Sequence, residues 1–159
     1  MKPRLYLETT IPSYLTAWAS RDLIVAAHQQ ITQEWWRTRH NAFDICASQF
    51  VLDEAAGGDP DAARDRLRLL SDIPMLEITE DVLLLASALL QSGIIPAKAA
   101  GDASHIAICA VHGIDYLMTW NCAHIANATI IRTVCKILEE YDYSCPIICT
   151  PEGLLEEST

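Results

Sequence analysis

No apolar run in the chain approaches the ~20 residues that a helix needs to cross a bilayer. None of its six cysteines forms a Cys-x-x-Cys pair, and its five histidines form no tract. Zinc-site and thioredoxin-like readings therefore lack support. Gly-x-Gly-x-x-Gly is absent, as is a Gly-Lys-Ser/Thr phosphate loop, which argues against a dinucleotide or P-loop nucleotide site. There is no internal repeat, low-complexity tract or linker. Basic residues are scarce: 11 Lys and Arg stand against 21 Asp and Glu, for a formal charge of −10. That balance opposes broad electrostatic binding of nucleic acid, which needs a basic surface. It leaves room for an acidic site that reaches phosphate through a divalent cation, and it suits a basic protein partner. The opening Met1-Lys2-Pro3-Arg4 leads into a strand-like segment and not into a secretory apolar stretch, so a cytoplasmic protein is expected.

The length of 159 residues suits one domain. A chain of this size buries roughly two-thirds of its unfolded surface and needs no disulfide to fold. Hydrophobic residues make up 51% of it, enough for a full core or for a core plus a partner surface. Cys46, Cys109, Cys135 and Cys149 stand among apolar neighbours and are expected in the core, with Cys122 and Cys145 accessible.

Short apolar segments alternate with helical ones. Strands are expected at residues 4–8, 44–48, 74–78, 116–120 and 146–150. Helical spacing marks residues 21–40, 49–56, 59–70, 79–92, 97–112 and 127–141. Asp59-Pro60, Thr79 and Asn127 read as helix starts, and Gly93 and Gly113 as stops. This alternation predicts an α/β three-layer sandwich around a five-stranded, mostly parallel sheet. In such folds sites form at the carboxyl edge of the strands.

Four residues fall at that edge. Glu8 ends the first strand, and Asn121 directly follows the fourth. The helix at 97–112 runs down to the start of the fourth strand, so it begins at the carboxyl edge, and Asp102 lies in its early turns. Glu54 lies in the short helix that leaves the second strand. Converging carboxylates repel one another and are costly to bury alone. A bound divalent cation resolves both problems. Thr9 and Thr119, at strand ends beside these acids, are candidates to position phosphate or water. His105, three residues beyond Asp102, is expected on a helix flank, with the ordering of substrate or a ligand as the alternative, and His124 in support of its local turn. Trp120 is expected to pack beneath the site, and Trp35-Trp36 to pack a helix.

At these residues the chain resembles a PIN-domain protein of the VapC toxin type, the ribonuclease partner of type II toxin–antitoxin pairs. The resemblance spans nearly the whole chain. It rests on Tyr6-Leu7-Glu8-Thr9-Thr10, Val51-Leu52-Asp53-Glu54, Asp102-Ala103-Ser104-His105-Ile106-Ala107 and Thr119-Trp120-Asn121, the last followed by His124. It implies a five-stranded parallel sheet with an acidic pocket holding Mg2+ or Mn2+, and an RNA substrate. A cognate antitoxin and a homodimer are implied as well. Carried over by position, Glu8, Glu54 and Asp102 are the metal-binding acids and Asn121 is the fourth site position. Two departures stand out: the first position is usually Asp in that family, and the fourth is often Asp. Competing expectations are a PIN-like interaction module with weakened catalysis and a small-molecule phosphohydrolase on the same sheet.

Overall fold

The computed structural model describes residues 1–156. Its strands are β1 (Arg4–Leu7), β2 (Asp44–Ser48), β3 (Met75–Leu76), β4 (Tyr116–Met118) and β5 (Ile147–Cys149). They form one sheet, every neighbouring pair parallel, in the order β3-β2-β1-β4-β5. The helices are α1 (Thr10–Thr16), α2 (Leu23–Arg39), α3 (Gln49–Ala55), α4 (Pro60–Leu70), α5 (Glu80–Gln91), α6 (Ala100–Val111) and α7 (Ala128–Glu140). Three 3-10 turns accompany them, at His40–Ala42, Ala97–Ala99 and Pro151–Leu154. The three-layer α/β sandwich expected from the sequence is the architecture found. Among the described residues no helix is long and apolar enough to cross a membrane.

Side-chain alternation along the strands builds the two outer layers. Tyr6, Cys46 and Leu117 point into a core shared with α3, α5, α6 and α7. Leu5, Leu7 and Met118 point the other way, onto Ile11, Trp35, Phe43 and Trp120. Trp35 and Trp36 serve packing, as expected: Trp35 is buried against Phe43, and Trp36 stacks on His40.

Local chemistry sets the boundaries. Asp59 caps α4 by accepting from the Ala62 amide, with Pro60 in the first turn. Thr79 caps α5 and Asn127 caps α7. The left-handed Gly93 (φ +79°) and Gly113 (φ +65°) follow the ends of α5 and α6, where a Cβ would be strained. Pro74 and Pro146 lack the amide that a ladder needs. The third and fifth strands accordingly begin one residue later than expected, and they also end early, at Leu76 and Cys149. The first strand stops at Leu7, yet the Glu8 amide still donates to the Met118 carbonyl (3.1 Å), so Glu8 prolongs the ladder. The helix expected from residue 97 opens instead as the Ala97–Ala99 3-10 turn.

The cysteine expectation needs correction. Cys135 and Cys145 are not a core thiol and an exposed one; they form a disulfide, with Cα atoms 5.0 Å apart. The turn after α7, where Asp142 takes φ +66°, brings the chain back onto the helix. Cysteine spacing alone does not reveal such a pairing.

Candidate functional site

The strand order places β1 at the centre. The chain leaves it toward β2 on one side and later crosses to β4 on the other. The crevice above β1 and β4 is thus a topological switch point, the usual ligand position in open α/β sheets. Glu8, Thr119 and Asn121 stand there.

Glu8 is 4% exposed. Its Oε1 accepts from the Thr10 amide (3.1 Å), the Thr10 hydroxyl (2.6 Å) and the Thr119 hydroxyl (2.6 Å). Its Oε2 accepts from no group among the described residues, and it is not among the sealed, unsatisfied polar atoms. The carboxylate is therefore pinned through one oxygen while the other remains available. Thr119 is fully buried. Its hydroxyl also accepts from the Asn121 amide (2.9 Å), so it holds Glu8 and the following turn together.

Asp102 lies in the first turn of α6, its side chain 15% exposed. Its Oδ1 accepts from Asn121 Nδ2 (2.9 Å), and its Oδ2 faces His124 Nδ1 at 3.2 Å. Asn121 Oδ1 accepts from the His124 amide (3.1 Å). Because that amide can only donate, the orientation of the Asn121 side chain is fixed, and its NH2 must face Asp102.

Glu54 comes from α3 and is 43% exposed. Its Oε1 accepts from the Thr9 hydroxyl (2.8 Å) and meets His105 Nε2 in a very short contact. Its Oε2 lies against Gly101, where an added Cβ would stand 3.4 Å away. Burial works to raise the Glu54 carboxyl, but donation from His105 and Thr9 overrides it, and the pKa falls below its ordinary value of 4.5.

All six sequence-predicted residues thus stand along one edge, joined in two networks. Thr119 and Asn121 tie Glu8 to Asp102, and Thr9, the residue after Glu8, donates to Glu54. Sequence reasoning missed the partners. His105 is fully buried rather than on an open flank, and although Tyr6 and Thr10 lie in the resemblance blocks, nothing in the sequence marks the contacts made by Tyr6, Ser48, Thr10 and Gly101. The Asp102-x-x-His105 spacing was the available signal. Trp120 packs as expected, stacked on His28 (centroids 3.9 Å apart) and donating to Thr32.

The donor set suits a hard divalent cation in kind, since every available atom is a carboxylate oxygen. Among the described residues no lysine or arginine forms an ion pair with Glu8, Glu54 or Asp102. The unengaged Glu8 Oε2 is a ready ligand. As the side chains stand, however, no three metal-ligating groups among the described residues converge on one point. Closing a full shell thus requires side-chain movement. Compared with known proteins, the chain matches no protein-family model and no curated protein.

Proposed function

We propose that this chain is a divalent-metal-dependent endoribonuclease that hydrolyses RNA phosphodiester bonds, in the manner of the PIN-domain toxins its motifs resemble. The observation that carries the reading is Glu8. It is a buried carboxylate, held by three donors on one oxygen and unengaged on the other, at the switch point of a parallel sheet. Burying such a group without a cation is costly, and a metal ion offsets that cost.

Glu8 and Asp102 would hold Mg2+ or Mn2+, with Glu54 ligating directly or through water. The ion would acidify a water and neutralise charge developing on the phosphate. The chain's own residues prepare the site. Thr10 and Thr119 fix the Glu8 rotamer, and the Asn121 amide turns Asp102. His124 places its Nδ1 beside the Asp102 oxygen that Asn121 leaves free. An antitoxin and a second copy of the chain are the partners implied by the same reading. The exposed Trp18, between α1 and α2, and the exposed Leu23 and Ile24, in the first turn of α2, offer apolar surface for one of them.

A second reading, a binding module with weakened catalysis, is favoured by one observation: Asp102 and Glu54 each already face a histidine. Incubation of pure protein with Mn2+ and mixed RNA or single-stranded DNA pools separates the two. The nuclease reading expects cleavage of RNA that Glu8→Gln and Asp102→Asn each reduce at least 100-fold. Absence of cleavage, together with absence of Mn2+ binding by calorimetry, leaves the module.

A further inference from the structure

Behind Glu54 runs a chain of polar groups sealed inside an otherwise apolar core. The Tyr6 hydroxyl contacts Ser48 Oγ (2.8 Å) and His105 Nδ1 (2.6 Å). His105 Nε2 contacts Glu54 Oε1. Tyr6, Ser48 and His105 are each 0% exposed, so water cannot substitute for any of these partners. The imidazole is confined by the Tyr6 ring (centroids 5.7 Å apart) and the Phe50 edge (6.4 Å).

Counting protons fixes the direction of the chain. The Tyr6 phenol, buried away from water, brings one O–H proton to these contacts. Among the described residues the Ser48 hydroxyl has only Tyr6 as a hydrogen-bond partner. If His105 Nδ1 carried a proton, Tyr6 would have to accept from it and donate to Ser48, and the Ser48 proton would be left buried without an acceptor. With Nδ1 bare, Ser48 donates to Tyr6, Tyr6 donates to Nδ1, and Nε2–H donates to Glu54. Every donor is then used.

We propose that Tyr6 and His105 are a positioning pair: Tyr6 locks His105 as the Nε2–H tautomer, and that proton holds Glu54 Oε1, leaving Glu54 Oε2 beside Gly101 for a divalent cation. The part that concerns the cation rests on the nuclease reading above. The part that concerns the tautomer does not. Outer partners that orient a ligating group commonly change metal affinity by about 10- to 100-fold when removed. Neither residue touches substrate, and neither needs to change charge.

Two measurements test the pair. The first is 15N NMR of the metal-free protein. A bare Nδ1 and a protonated Nε2 on His105 are expected, with Tyr6→Phe giving a mixture of tautomers. A protonated Nδ1 in the unsubstituted protein overturns the proposal. The second is Mn2+ titration by calorimetry on folded variants checked by circular dichroism. His105→Leu removes the donor, whereas the His105→Gln amide can replace Nε2–H. Affinity about 10-fold or more weaker in His105→Leu and largely restored in His105→Gln supports positioning. Unchanged affinity in His105→Leu, or equal losses in both, overturns it. Where His105→Leu does not fold, Tyr6→Phe takes its place, and an affinity equal to the unsubstituted protein's counts against the pair. An unsubstituted protein that binds no Mn2+ refutes the nuclease reading and the cation part of the pair with it, while the NMR result still decides the tautomer.

Discussion

Gly101 stands one residue before Asp102, where a methyl group would come within 3.4 Å of Glu54 Oε2. That distance is ordinary contact, so alanine fits without displacing backbone. Glycine in a helix costs up to about 1 kcal/mol relative to alanine, and here it sits in the first turn of α6. Retaining glycine beside a carboxylate makes sense if the oxygen needs open space. Gly101→Ala is expected to raise the melting temperature by roughly 2–4 °C while weakening Mn2+ binding several-fold. Scanning calorimetry and isothermal titration read the two effects separately. A higher melting temperature with unaltered Mn2+ affinity would show that this Glu54 oxygen takes no part in the site. The same trade of stability against access recurs at Glu8, where a carboxylate replaces the apolar residue that a strand end at 4% exposure would otherwise favour.

Among the elements, α7 and the turn before it show how far the site extends beyond its acids. Asn127 accepts from the Thr129 amide (3.0 Å) to cap α7, and its NH2 reaches the carbonyls of Cys122 (3.0 Å) and Ala123 (3.3 Å). One side chain thus joins the helix to the segment that carries Asn121 and His124. Asn127→Ala is expected to cost about 1–2 kcal/mol, the upper range for a cap, because it releases the turn as well as the helix. Urea denaturation measures this, and a loss below about 0.5 kcal/mol would mean that the turn is held by its backbone alone. The cap itself was legible in the sequence, as were those of α4 and α5, because an Asx or Thr before an apolar stripe has a local cause. The parallel five-stranded sheet and the edge carrying Glu8, Glu54 and Asp102 followed from alternation of strands and helices, whereas the order β3-β2-β1-β4-β5 did not, because alternation leaves open which side of the sheet each crossover takes. The histidine partners were not legible. Whether residue 105 lies on the buried or the exposed side of α6 depends on how that helix leans over β1, which no local pattern encodes. The Cys135–Cys145 pairing escaped for the same reason, since it depends on the path of the chain after α7. The third and fifth strands begin a residue late because proline cannot donate to the ladder, and they end early because hydrophobic alternation only permits a strand.

For the whole molecule the governing quantity is the formal charge of −10. A protein that neutralises many phosphates with lysine and arginine releases counterions, and its affinity falls steeply with salt, with a slope near −0.7 per phosphate contact for single strands. This chain has 11 such residues in total, and none of them forms an ion pair with the site acids among the described residues. On the nuclease reading proposed above, phosphate would therefore be met chiefly by a divalent cation held by the acids. It follows that RNA binding should depend weakly on monovalent salt and strongly on divalent metal. Fluorescence anisotropy with a labelled single strand, with Ca2+ tried first as a non-catalytic substitute, is expected to give a log–log salt slope shallower than about −2, the value of roughly three phosphate contacts. EDTA should abolish the binding. A slope of −4 or steeper that survives EDTA would instead require a cationic footprint supplied by a partner or by assembly of several chains, because eleven dispersed cations on an acidic surface do not make one.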